Sequence, residues 1–260
     1  MTGPVPRRLF LHVGTHKTGT TSFQAMLRDQ AAALRATGLE PLVGPPFAPR
    51  DSANAHLLAN ALVRPDLKSP SRLRNTCPVP DAAYTAEMIA ALHARLSEVT
   101  VPDVVISSEK FCLMRTEDER ARLETALRPL FSEIVPVLCL RRVEGWRKSW
   151  NNQLEKTGTT PLLAGVPDAQ STNGEWYYDT DSIVAFWQSV GPLKVIDYDA
   201  ALGTDGSILP ALFGALERDA PGNGTWLNRR FTIRDRLKRG LRRVLKKARD
   251  GIGSTPGKAD

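Results

Sequence analysis

The residues with the clearest chemical potential are Gly14-Thr15-His16-Lys17-Thr18-Gly19-Thr20-Thr21-Ser22. The apolar run Leu9 to Val13 precedes them and reads as a buried strand. Phe23 to Thr37 follows, with Phe23, Met26, Leu27 and Leu34 at helical spacing. Strand, glycine-bearing turn and hydroxyl-rich helix start together form an anion cradle. The first N–H groups of a helix have no partner within it, and the helix dipole is positive at that end. Lys17 adds a full charge, and Thr20 and Thr21 add hydroxyl donors.

The spacing narrows the anion. Gly14 and Gly19 are placed as in the G-x-x-x-x-G-K-[ST] loop of nucleotide triphosphatases, with Thr21 at the Ser/Thr position. Thr20, however, stands where that loop has the lysine that reaches β- and γ-phosphates, and the lysine here is Lys17, inside the turn. A lysine in the turn suits a shorter 5′ chain near its bridging oxygen. This argues against ATP or GTP and for a nucleotide whose single 5′-phosphate carries another group.

A second stretch makes the pattern specific. Val135 to Leu140 reads as a buried strand and runs into Arg141, with Ser149 eight residues later on the following helix. This pair resembles the 3′-phosphate clamp of sulfotransferases, and Lys17 to Ser22 resembles their 5′-phosphosulfate loop. The chain thus resembles the family that uses 3′-phosphoadenosine 5′-phosphosulfate, in its compact bacterial branch. The resemblance implies an α/β fold in three layers: a central parallel β-sheet of the P-loop nucleotide-binding type with helices on both faces. It implies donor binding by Lys17, Thr18, Gly19, Thr20, Thr21, Ser22, Arg141 and Ser149. It also implies sulfuryl transfer, without a metal, to a hydroxyl of a carbohydrate or glycolipid.

Sulfuryl transfer needs a cation on the leaving phosphate, a base for the acceptor proton and a second anion site that fixes the donor. Lys17 suits the first role, with the loop N–H groups. Arg141 and Ser149 suit the third. For the base, family members offer a histidine or a glutamate near a central strand end. Here that place holds Glu109, after Val104-Val105-Ile106 and Ser107-Ser108. A carboxylate partly removed from water has a raised pKa and accepts the proton, which is the expectation for Glu109. Its competing reading is a structural ion-pair partner. Lys110 is expected to steady sulfuryl oxygens or pair with a neighbour. His16 is placed to touch donor or acceptor, and His56 is the reserve base. His12, within the first strand, reads as a core histidine, and His93 as a helix-face residue.

Two departures stand out from the cytosolic aryl branch. Ser22 and Phe23 replace the tryptophan that follows the loop threonines there, leaving Trp146, Trp150 or Trp226 as adenine-stacking candidates. The C-terminal glycine-rich nucleotide segment is replaced by Pro221 to Arg230, with Arg229 or Arg230 as extra 3′-phosphate candidates.

The elements that must position these residues alternate between strand and helix, which argues a parallel sheet covered on both faces. Helices are expected at 53–63, 84–99, 117–131, 143–156, 181–190 and 208–216, and strands at 39–43 and 193–198. Residues 47–80 are proline-rich and read as a partly irregular insertion that walls the acceptor, and 157–175 as a polar loop or lid. Lys17, Glu109 and Arg141 all follow strands, where ligand sites of such sheets gather.

Composition sets outer bounds. The chain has 260 residues, with 42% hydrophobic and 24% charged, ordinary for a globular protein. Cys77, Cys112 and Cys139 have no metal-type spacing and read as reduced thiols. The N-terminal apolar run is too short for a signal peptide, so a cytoplasmic enzyme is expected. Net charge is +7, but residues 229–249 carry eleven Lys/Arg against one acid, +10, leaving −3 for the remainder. The main domain is therefore expected at 1–228, and 229–260 as a basic amphipathic helix and tail. Ile233, Leu237, Leu241, Val244 and Leu245 give that tail one apolar face. It suits an anionic surface at the inner membrane or packing on the body. No recognition motif accompanies the charge, so nucleic acid is not an expected partner. The alternatives to a sulfotransferase are a P-loop kinase, which wants a lysine at position 20, and a non-catalytic nucleotide-binding module recruited by the tail.

Overall fold

The structure is a computed structural model and describes residues 7–221. The expected tail helix, Trp226, Arg229 and Arg230 lie outside the described residues. The strands are β1 (Arg8–His12), β2 (Leu39–Pro41), β3 (Asp103–Ser107), β4 (Glu133–Leu140) and β5 (Lys194–Asp197). They form one sheet in the order β2-β3-β1-β4-β5, parallel throughout. The helices are α1 (Thr20–Asp29), α2 (Ala31–Ala36), α3 (His56–Leu62), α4 (Pro70–Leu73), α5 (Ala82–Ser97) and α6 (Glu117–Leu127). They continue with α7 (Val143–Lys156), α8 (Glu175–Tyr178), α9 (Thr180–Val190), α10 (Tyr198–Asp205) and α11 (Leu209–Ala215).

Alternation along the strands assigns the two faces. Leu9, Leu11, Val104, Ile106, Ile134 and Leu138 point into one core, which α3, α5, α6, α7 and α9 cover. Phe10, Val105, Val135, Val137 and Cys139 point into the other, which α1, α2 and α11 cover. Each such Leu or Phe, fully removed from water, contributes roughly 1.5–3 kcal/mol. The architecture is the three-layer α/β fold expected from the sequence.

The register levels the strand ends that matter. His12 of β1 stands beside Ser107 of β3 and Val137 of β4. Beyond β1 the chain stays on β4: Val13 N–H donates to the Val137 carbonyl (2.9 Å) and Thr15 N–H to that of Cys139 (3.1 Å). Connections leave β1 toward β3 and β2, then return to β4 and β5, so the crossover direction reverses beside β1. Such a switch point opens a crevice at the carboxyl ends.

Three elements differ from expectation. The first helix is two, broken at Gln30, whose backbone leaves helical angles (φ −109°, ψ 17°). The restart lets Leu34 reach the core and Arg35 pair with Glu40 at 2.6 Å. Helix α10 was not legible because none of its residues is buried, so it has no apolar period. It is started by Asp197, whose carboxylate accepts from Ala200 N–H (2.9 Å). Residues 157–178 are built of short turns and α8 rather than an open loop, and they are tied to the insertion, where Lys68 N–H donates to the Gln170 carbonyl (2.8 Å).

Candidate functional site

A cleft of about 710 Å³ opens at the carboxyl ends of β1, β3 and β4. His16, Lys17, Gly19, Thr20 and Thr21 line it from the loop, Glu109 and Lys110 from the end of β3, and Arg141 and Ser149 from β4 and α7. His56 lines it from α3. Residues spread over 133 positions of sequence, from His16 to Ser149, thus share one wall. Thr18 and Ser22, expected beside the donor, do not line it. Thr18 is fully buried, its Oγ1 donating to the Thr15 carbonyl (2.6 Å), where it braces the turn.

The loop is shaped by two left-handed residues. Gly19 (φ 78°) caps α1, and Lys17 adopts φ 72°, unusual for a residue with a side chain. This conformation aims Lys17 across the cleft, where Nζ lies 3.4 Å from Gln153 Oε1 of α7. Arg141 crosses toward it from β4, its Nη1 donating to the Lys17 carbonyl (3.4 Å). The guanidinium lies over the Tyr198 ring at 5.2 Å. Its Nε is buried without a hydrogen-bond partner, with Asp199 Oδ1 at 4.0 Å. A Cβ at Gly145 would approach that Nε to 3.2 Å, so a glycine there makes room for the arginine. A guanidinium beside an anion-cradling turn fits a phosphate group.

Glu109 forms no ion pair among the described residues, so the ion-pair reading does not hold. Two amides hold it: Gln24 Nε2 donates to Oε2 at 3.1 Å and Asn54 Nδ2 to the same oxygen at 3.2 Å. No side chain among the described residues donates to Oε1. The expected rise in its pKa is corrected. Burial pushes the carboxyl up; the charge of His16 when that ring is protonated, the Glu109 backbone N–H and Gln24 act against it and set the direction below the ordinary value. Two neutral amides align the Glu109 carboxyl. Gln24 also donates to Ser107 Oγ (3.2 Å), which meets His12 Nδ1 (2.8 Å). His12 is a buried core histidine, as read from sequence, held neutral by burial with a pKa near 4.

His16 packs on Trp150 at 4.4 Å, and its Nδ1 shares a hydrogen bond with the Tyr177 hydroxyl (2.7 Å). Burial lowers its pKa to about 4, so the ring is neutral. Lys110 turns away from any carboxylate: its Nζ donates to Ser71 Oγ (2.9 Å) and Asn60 Oδ1 (3.1 Å). His56 Nδ1 faces the Asn54 carbonyl (3.3 Å). His93 is the helix-face residue expected, donating from Nε2 to the Ala126 carbonyl (3.0 Å).

The insertion does form a wall. Asn54, Ser69, Ser71, Arg74 and Thr76 line the cleft with His56. Asn54, Gln153 and Tyr198 were not singled out by sequence, because single polar residues outside a motif carry no spacing signal. Of the adenine candidates, Trp150 lines the cleft, while Trp146 is fully buried against Tyr177 and Tyr178. Tyr198, beneath Arg141, is an aromatic face the sequence did not mark. Among the described residues no group of His, Cys, Asp and Glu is placed to hold a metal ion. No helix among them is long and apolar enough to cross a membrane.

No family model and no curated protein matches the chain. Among solved structures, it is similar to a sulfotransferase from Alicyclobacillus acidocaldarius, with a TM-score of 0.51 over 96% of this chain and 97% of that one, at 15% identity. The likeness extends over nearly all of both chains and shows that the two share a fold.

Proposed function

We propose that this chain is a sulfotransferase, moving the sulfuryl group of 3′-phosphoadenosine 5′-phosphosulfate to a hydroxyl of a carbohydrate or glycolipid. The observation that carries the reading is the convergence of Lys17, Arg141, Ser149 and Glu109 on one cleft at the switch point of the sheet. The shared fold with a sulfotransferase supports it.

In this reading the 5′-phosphosulfate lies on the loop, with Lys17 and the first N–H groups of α1 meeting charge that grows on the leaving phosphate. Arg141 and Ser149 take the 3′-phosphate. The acceptor enters along the insertion wall, whose hydroxyl, amide, imidazole and guanidinium groups suit sugar hydroxyls. Glu109 Oε1 takes the acceptor proton as the acceptor oxygen bonds to sulfur. The bond from sulfur to the phosphate oxygen breaks, and adenosine 3′,5′-bisphosphate departs.

The test is transfer of labelled sulfuryl from the donor to a panel of oligosaccharides and glycolipids, in wild type and Glu109→Gln. Labelled product from wild type, reduced about 100-fold or more in the variant, is expected. Equal turnover by the variant overturns the role of Glu109, and donor hydrolysis without any acceptor product overturns the carbohydrate assignment.

A further inference from the structure

Behind the insertion wall lies a cluster that the proposed reaction does not use. Two cations are buried there: Arg72 at 6% exposure and Lys110 at 7%. The Arg72 guanidinium donates to four backbone carbonyls and to Asn60 Oδ1 (3.0 Å). Lys110 Nζ donates to that same Asn60 oxygen (3.1 Å) and to Ser71 Oγ (2.9 Å), and lies 3.5 Å from Cys77 Sγ. Neither cation has a carboxylate ion-pair partner among the described residues; their hydrogen bonds go to carbonyl, amide, hydroxyl and thiol groups. Buried charges persist where an opposite charge meets them.

The donor aimed at the sulfur is the Lys110 ammonium, 3.5 Å from Sγ. The same ammonium holds Ser71 Oγ, and His56 Nδ1 faces the Asn54 carbonyl (3.3 Å). From α5, Tyr84 also faces the sulfur; its hydroxyl donates to the Leu57 carbonyl (3.3 Å). Cys77 sits one layer behind the cleft, since His56, Ser71, Thr76 and Lys110 all line it.

We propose that Cys77 is a thiolate in the folded protein, ion-paired with Lys110, and a site of oxidation by hydroperoxides at the acceptor end of the cleft. The thiolate attacks the terminal peroxide oxygen. A sulfur–oxygen bond forms and the oxygen–oxygen bond breaks. Sulfur loses two electrons and becomes a sulfenic acid, while the hydroperoxide is reduced to an alcohol or water. The departing oxygen takes a proton from the Lys110 ammonium, which solvent restores. The remaining thiols are internal controls. Burial pushes Cys112 and Cys139 up to about 12, whereas burial of Cys77 is outweighed by His56, Lys110 and Ser71, which bring it down to about 7. Burial also lowers Lys110 to about 8, so both partners are charged between about pH 7 and 8.

The test is the pH dependence of iodoacetamide labelling of the full chain, read by mass spectrometry of its peptides, and it is independent of any transferase activity. A single adduct on Cys77 is expected, with its rate rising through a midpoint near pH 7, while Cys112 and Cys139 react only after denaturation. Lys110→Gln should move that midpoint up by at least one pH unit. Hydrogen peroxide followed by dimedone should place the trapped adduct on Cys77. A rate that rises only through about pH 8.5, as for a free thiol, overturns the proposal. So does absence of labelling, comparable labelling of the other two cysteines, or an unmoved midpoint in Lys110→Gln. If that variant does not fold, the wild-type profile and the dimedone adduct decide alone.

Discussion

In the proposed reaction Glu109 and Arg141 divide the work of the cleft, and the division is testable side chain by side chain. Glu109→Gln keeps the shape and the amide contacts of the carboxylate but removes its charge. It should lower turnover by about 100-fold or more while leaving the affinity for adenosine 3′,5′-bisphosphate within about threefold, measured by calorimetry. The carboxylate was legible because it ends a strand; its pKa direction was not, because His16 and Gln24 come from elements distant in sequence. His12 gives a prediction of stability. Its pKa is near 4 when folded, against 6.5 ordinarily, so the unfolded chain takes up the proton first as pH falls. Its contribution is complete above pH 6.5 and is lost between 6.5 and 4, a change of about 3 kcal/mol for this fully buried ring. Urea unfolding across that range should show a shallower loss in His12→Gln than in wild type. An unchanged slope would contradict the neutral buried ring.

At the scale of elements, the loop between β1 and α1 depends on Gly19. It holds φ 78°, and a Cβ there would come within 2.8 Å of Ile208 Cγ2 beside α11. Gly19→Ala should therefore cost roughly 1–3 kcal/mol in urea unfolding and weaken bisphosphate binding tenfold or more, because strain and overpacking fall on the same turn. Wild-type stability in that variant would contradict the turn geometry. The strands and the helices of the covered faces were legible because period 2 and period 3.6 follow from burial. The placement of Lys17, Gly19 and Arg141 along one cleft was legible because glycine, lysine and arginine stand at fixed offsets from strands. What was not legible follows a common cause: α10 buries nothing, and the insertion wall is assembled by tertiary contacts such as Ala55 N–H to the Ser107 carbonyl (2.8 Å). Single side chains brought in this way, Asn54 and Tyr198 among them, leave no periodic trace.

At the scale of the molecule, the proposed donor site draws on residues after β1, β3 and β4 and on α7, so binding there would stabilise the sheet as a unit. Bisphosphate at about 100 times its dissociation constant should stabilise the fold by about 2.7 kcal/mol, visible as a rise of several degrees in Tm. The basic segment 229–249 adds an expectation read from sequence alone. The full chain should sediment with vesicles rich in anionic phospholipid at low salt and be released at high salt, because exposed charges are screened. Retention at high salt would point to apolar insertion instead. The central claim is that the cleft binds a nucleotide with a 3′-phosphate and a short 5′ chain. It is tested most directly by titrating wild type, Lys17→Ala and Arg141→Ala with adenosine 3′,5′-bisphosphate, and with ATP and Mg²⁺ as the comparison. The account predicts saturable bisphosphate binding by wild type, weakened at least tenfold in each variant and unmatched by ATP. Preference for ATP with Mg²⁺, or bisphosphate binding indifferent to both substitutions, would contradict it.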